Sequence, residues 1–127
     1  MPPKVKIFIW RLLHNGIPVR QCIQSRFHNV QDVCPRCGGE RETALHCLVL
    51  CPFANQTWQL SNLNAASTVN NNQEPWRWWS KLSELARRQL QGRKELALAA
   101  MLAWTIWKGR NAKVFEGKDV PPQQMYA

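Results

Sequence analysis

The sequence has 127 residues, of which 45% are apolar and seven are tryptophan, which suffices for one domain with its own core. Seventeen Lys and Arg residues stand against eight Asp and Glu residues, a formal charge of +9 that favours polyanionic partners, nucleic acid before an acidic membrane surface. The longest apolar run, residues 96–107, is well short of a membrane span of ~20 residues, and no signal-peptide cleavage pattern follows the first apolar segment, so we expect no membrane association and an intracellular, nuclear location.

Two short helices are predicted at the N-terminus. Val5, Phe8 and Leu12 follow the i, i+3, i+7 spacing of an amphipathic helix. Gly16 is expected to end this helix in the left-handed conformation. Pro18 suits the first position of a second helix, so the sequence predicts a helical hairpin.

The middle of the chain contains three segments that differ in residue pattern. Residues 31–39 have no helical pattern and contain Cys-Pro-Arg-Cys-Gly-Gly. Residues 42–50 are predicted to form a helix that carries His46, and residues 53–60 a further helical turn. The segment 61–75 contains five asparagines and few apolar residues, which is typical of a polar linker.

The last part of the chain is rich in tryptophan and is predicted to be helical. Trp78 and Leu82 begin one helical period, which Gly92 separates from a long helix over 94–114. Gly117 is expected to end that helix.

No alternating pattern of useful length predicts a strand, so we expect an all-α protein. Residues 1–60 would form the helical hairpin plus a zinc knuckle, and residues 61–75 a linker. Residues 76–127 would form a Trp-rich helical segment that packs on the first part within a single domain.

The cysteines predict a metal site. Four of the five lie between residues 34 and 51, and in an intracellular protein such clustering favours a metal over disulfides. Zinc prefers four tetrahedral nitrogen and sulfur ligands, which the spacing Cys34-x2-Cys37-x8-His46-x4-Cys51 supplies. Four protein ligands leave no position for water, which favours one structural Zn²⁺.

The spacing alone does not determine which residue is the third zinc ligand. An all-cysteine site that uses Cys47 in place of His46 is also compatible with the sequence. Cys47 can equally be interpreted as a small buried apolar residue, and Cys22 as part of a helix core.

Several segments together resemble a known family: the zinc-binding domain that follows the reverse transcriptase in plant LINE-type (non-LTR) retrotransposons. The residues that carry the resemblance are 3–15, 17–19, Arg26, 34–38, 42–43, His46, 51–54, Trp58, 104–111 and 114–116.

The resemblance implies both a ligand set and a context. The family's Cys, Cys, His and Cys ligands correspond to Cys34, Cys37, His46 and Cys51, which favours His46 over Cys47. In the parent element the domain would help hold template RNA or target DNA near the polymerase. The alternative is a structural spacer that docks against the reverse transcriptase and RNase H domains.

Catalysis is not expected. Asp32 and Asp119 are the only aspartates and lie far apart in the sequence, so the paired carboxylates of a polymerase are missing. No Gly-rich phosphate loop is present, and no serine or cysteine has a plausible base partner. A closed zinc shell argues against a zinc hydrolase.

Basic and aromatic residues form the predicted nucleic-acid surface. The exposed tryptophans best placed to stack on unpaired bases are Trp76 and Trp79. The competing interpretation is that the charges only solvate the outer helix faces. The basic residues expected to contact phosphates are Lys4, Arg11, Arg20, Arg36, Arg41, Arg87, Arg88, Arg93 and Lys94.

Overall fold

The computed structural model of the chain describes residues 1–61, 74–88 and 92–119. These residues contain a π-helix, His46–Leu50, and five α-helices: α1 (Pro3–Leu13), α2 (Arg20–Arg26), α3 (Pro52–Ser61), α4 (Pro75–Arg87) and α5 (Gly92–Glu116). They contain no strand, only one isolated bridge between Val33 and Arg41. The all-α prediction is confirmed. None of the helices that the structure describes combines the length and apolar character needed to cross a bilayer.

The apolar face of α1 is buried, as its spacing predicted. Val5, Phe8, Ile9 and Leu12 lie in the core, and α1 packs against α5 and α4. The Phe8 ring stacks near Trp107 of α5, with 6.5 Å between ring centroids. Each such side chain contributes about 1.5–3 kcal/mol when it is fully buried.

The turn after α1 differs from the prediction. The left-handed residue is Asn15, with φ of 55°, and not Gly16. Gly16 is needed for close approach, because a Cβ there would lie 3.2 Å from the Arg11 carbonyl oxygen. The second helix begins at Arg20, so the prediction that Pro18 occupies its first position was wrong.

Two buried tryptophans join the middle of the chain to α4. Trp58 of α3 and Trp78 of α4 meet edge to face, with 6.1 Å between ring centroids. The Trp58 indole also donates a hydrogen bond of 2.7 Å to the carbonyl oxygen of Leu48 in the π-helix. Both side chains are buried, and α3, α4 and the π-helix share one core.

The longest helix, α5, contacts α1, α3, α4 and the π-helix. Its first residue, Gly92, approaches α4 so closely that a Cβ there would overlap the carbonyl oxygen of Ala86. At its other end Gly117, with φ of 67°, terminates the helix as predicted. Most of the predicted linker 61–75 lies outside the described residues.

Candidate metal centre

Four side-chain donors converge beside the π-helix. The ligand atoms are the sulfurs of Cys34, Cys37 and Cys51 and a ring nitrogen of His46, and they all lie within 4.8 Å of one another. The Cys34 and Cys51 sulfurs are 3.9 Å apart, and the Cys37 sulfur lies 3.4 Å from Nε2 of His46. Tetrahedral zinc with Zn–S bonds of about 2.3 Å and Zn–N bonds of about 2.0 Å separates its ligand atoms by about 3.5–3.8 Å. The four residues therefore fit one zinc ion.

The first two donors lie on a tight reversal of the chain. The Cys34 N–H donates to the Glu40 carbonyl oxygen at 2.7 Å, and the Gly38 N–H donates to the Cys34 carbonyl oxygen at 2.9 Å. Gly38 has φ of 67°, a conformation that glycine adopts without steric cost. The backbone therefore turns directly after Cys37, which brings that sulfur back towards Cys34.

The other two donors are joined by a single wide helical turn. The Cys51 N–H donates to the carbonyl oxygen of His46 at 2.7 Å, an i→i+5 bond. The Thr43 hydroxyl caps the start of this turn by accepting from the His46 N–H at 3.0 Å. The sequence predicted an α-helix over 42–50, but the segment is wound as a π-helix from His46 to Leu50.

This winding favours His46 over Cys47 as the third metal donor. In an α-helix, with 100° per residue, Cys47 would lie about 40° around the axis from Cys51, and His46 about 140° away. The i→i+5 turn instead aligns His46 with Cys51, and Cys47 lies buried in the apolar core. Burial raises the pKa of the Cys47 thiol well above its usual range, so it stays protonated at neutral pH.

The donors are electrostatically coupled. The hydrogen bond from the Cys51 thiol lowers the pKa of Cys34 to about 3, and the same bond raises the pKa of Cys51. Burial alone would lower the pKa of His46, but hydrogen bonds to the Cys34 and Cys37 sulfurs outweigh it and raise that pKa. A bound Zn²⁺ replaces these shared protons, because its ligands must be deprotonated.

Residues 1–58 match the sequence family described as zinc-binding in reverse transcriptase. All four donors lie inside the matched segment. No curated protein and no solved structure matches the chain.

A buried ion pair ties the matched segment, residues 1–58, to α5, which lies beyond it. Glu42 and Arg110 have side-chain exposures of 0% and 2%, and the Arg110 Nη2 and Nε groups donate to the two Glu42 oxygens at 2.7 and 3.0 Å. The Arg20 backbone N–H donates to the same carboxylate at 2.7 Å. The Glu42 carboxylate therefore joins three parts of the fold: the segment that carries the metal donors, the first residue of α2, and α5.

Sequence reasoning missed this pair. Glu42 and Arg110 each fell within a segment that carried the family resemblance, but they are separated by 68 positions in the chain. Their appearance in two separate motifs was the only signal available for pairing them.

The predicted phosphate-contacting residues lie on separate parts of the fold. Lys4 and Arg11 are exposed on α1, and Arg20 is half-buried at the start of α2. On the knuckle, Arg41 pairs with Asp32 at 2.7 Å. Its neighbour Arg36 is half-buried, and its guanidinium lies 5.4 Å from the centre of the Phe53 ring.

The remaining candidates lie where α4 ends and α5 begins. Arg87, Arg93 and Lys94 are exposed, and Arg88 forms an exposed i,i+4 pair with Glu84 at 3.1 Å. The two tryptophans proposed for base stacking differ in exposure. Trp76 is exposed and lies under the Arg77 guanidinium, whereas Trp79 is half-buried beside Trp78.

Proposed function

We propose that this chain is a non-catalytic module, derived from the polyprotein of a plant LINE-type retrotransposon, whose structural zinc shapes a surface that binds RNA or DNA. The observation that carries the zinc part is the convergence of Cys34, Cys37, His46 and Cys51 within 4.8 Å. Four protein ligands complete a tetrahedral shell, so neither water nor substrate has a coordination position. The zinc then contributes folding free energy to a segment with little regular structure.

The distribution of charge supports the nucleic-acid part. The first 31 residues contain five Lys or Arg residues and no Asp or Glu. Helix α1 alone carries Lys4, Lys6 and Arg11, all exposed. Contacts from such side chains to phosphates give binding that depends on salt and little on sequence. An intracellular, nuclear location is part of this proposal.

The test is a titration of labelled structured RNA and duplex DNA with the zinc-loaded protein, followed by fluorescence anisotropy over a series of salt concentrations. For duplex DNA the logarithm of the affinity should fall against the logarithm of salt with a slope of about −0.9 per phosphate contact. Absence of binding at low salt would refute the nucleic-acid proposal and leave the zinc site untouched.

Exposed apolar side chains favour a second candidate, docking against the neighbouring domains of a polyprotein. Leu98 and Met101 are exposed on α5, Trp10 on α1 and Phe115 near the end of α5. Such surfaces are covered when a spacer lies between two larger domains. Self-association of the chain in dilute solution, measured by sedimentation velocity, supports this candidate, and a monomer at all concentrations counts against it.

A further inference from the structure

A groove of about 290 Å³ separates α1 from α5 and combines basic with aromatic side chains. Lys4, Ile7 and Arg11 line it from α1, and Trp104 and Trp107 line it from α5. Among the described residues that form its walls, none is acidic. The groove is therefore an apolar slot with cationic side chains along one edge.

The α1 edge of the groove has the spacing of a phosphate clamp. Lys4 and Arg11 are seven residues apart, which puts them on one face of α1 at about 10 Å along the axis. Both side chains are exposed, and α1 contains no acidic residue that could neutralise them. Long, flexible side chains at this separation can reach the phosphates on either side of one nucleotide.

The α5 edge offers an aromatic surface. Trp104 is half-buried, so part of its indole ring stays accessible from the groove. Lys108, one turn later, places its ammonium nitrogen 3.8 Å from the centre of that ring and adds a third cation to this region. Aromatic rings beside cations are the common means by which proteins stack the bases of single-stranded nucleic acids.

Two of the other basic residues proposed to contact phosphates are paired with carboxylates. Arg41 is neutralised by Asp32, and Arg88 by Glu84. The groove also suits an unpaired base better than a duplex, because its tryptophan side chains can pack against the face of an unpaired base, whereas a duplex hides the faces of its bases.

We propose that the groove between α1 and α5 binds one unpaired nucleotide of a single-stranded RNA or DNA, with the base on Trp104 and the flanking phosphates on Lys4 and Arg11. This inference rests on the proposed function, because it specifies the surface and the kind of nucleic acid involved.

The experiment compares the zinc-loaded protein with variants in anisotropy titrations of labelled oligouridine, oligothymidine and a duplex of equal length. Trp104→Leu should weaken single-strand binding about tenfold or more and duplex binding much less. The control is Phe27→Leu, since Phe27 is an aromatic residue with 61% exposure that neither lines the groove nor belongs to the predicted nucleic-acid surface. Circular dichroism and zinc content establish that each variant is folded.

A second variant does not depend on the packing of Trp104. Lys4→Gln combined with Arg11→Gln alters only exposed side chains and should reduce the salt slope of single-strand binding by about 1.4, which is about 0.7 for each phosphate contact. Photo-crosslinking with 5-iodouridine in the oligonucleotide, followed by peptide mass spectrometry, should place the cross-link at Trp104. Equal oligouridine and oligothymidine affinities would show that the 2′-hydroxyl is not read, and a preference for oligouridine would identify RNA as the occupant.

The outcomes separate the two proposals. If the wild-type protein binds single strands but Trp104→Leu and the α1 double variant bind equally well, the groove assignment is wrong and the proposed function stands. If the wild-type protein binds no nucleic acid, both fail. If these variants instead dissociate a dimer of the chain, the groove is a protein-binding surface and the assignment is overturned.

Discussion

Replacing Arg110 with methionine should destabilise the zinc-loaded protein by about 3–5 kcal/mol, the usual cost of removing one partner from a buried ion pair. The Arg110 guanidinium makes two hydrogen bonds to Glu42, and both side chains are almost wholly buried. Methionine fills much of the same volume but leaves the carboxylate with only the Arg20 N–H as a partner among these contacts. A domain is typically stable by about 5–15 kcal/mol, so this single change would remove a large part of the total.

Urea denaturation monitored by circular dichroism measures this loss directly. The matched control is Arg88→Met, which removes the same side chain from an ion pair with 72% and 64% exposure. An exposed pair of this kind contributes about 0–1 kcal/mol, so the two variants should differ several-fold in their effect. Replacing Glu42 by leucine in the Arg110→Met background should recover part of the loss, because no uncompensated carboxylate then remains.

Equal destabilisation by Arg110→Met and Arg88→Met would refute the reasoning. It would mean that α5 does not hold the zinc-binding segment through a desolvated pair. A loss in both variants that disappears at high salt would lead to the same conclusion, since salt screens exposed charges far more than buried ones.

Three further predictions concern the backbone and the metal centre. Gly92→Ala should destabilise the protein by about 1–3 kcal/mol in urea denaturation, because the added Cβ would overlap the α4 backbone. The control Gly39→Ala adds a Cβ to open space and should change the free energy of unfolding little. Equal losses in the two variants would contradict the close approach of Gly92 to α4. Cys47→Ala should retain one equivalent of zinc by atomic emission and His46→Ala should lose it, and the reverse result would replace His46 by Cys47 as a ligand. The pKa values of Cys51 and His46 are raised in the metal-free protein, so zinc must displace protons from these donors when it binds. Its affinity in chelator competition should therefore decrease from about pH 8 to about pH 6, and a pH-independent affinity would contradict this set of donors.

Local patterns predicted the helices well, because each depends on residues close in sequence. The apolar spacing of Val5, Phe8 and Leu12 identified the buried face of α1, and Gly117 identified the end of α5. The four metal donors were also predictable, because the constraints that zinc places on ligand type and spacing act over a short segment.

The features that escaped prediction depend on contacts between distant parts of the chain or on small differences in backbone energy. Glu42 and Arg110 meet only because the whole domain folds, and nothing local to either residue indicates the other. The left-handed residue after α1 is Asn15, since asparagine tolerates that conformation nearly as readily as the glycine beside it. The π winding at His46 is not encoded in helix propensities, which do not distinguish an i→i+5 turn from an i→i+4 turn.

The π turn relates the type of helix to the number of residues between His46 and Cys51, the last two metal donors. In an α-helix His46 and Cys51 would point about 140° apart, and here the wide turn closed by the Cys51 N–H and the His46 carbonyl oxygen brings the two side chains together. Deleting one residue between them would allow a histidine and a cysteine four positions apart to share the face of an ordinary α-helix. Cys47, Leu48 and Val49 of this spacer are buried in the core, so inserting or deleting a residue here would displace the metal donors and the core side chains together.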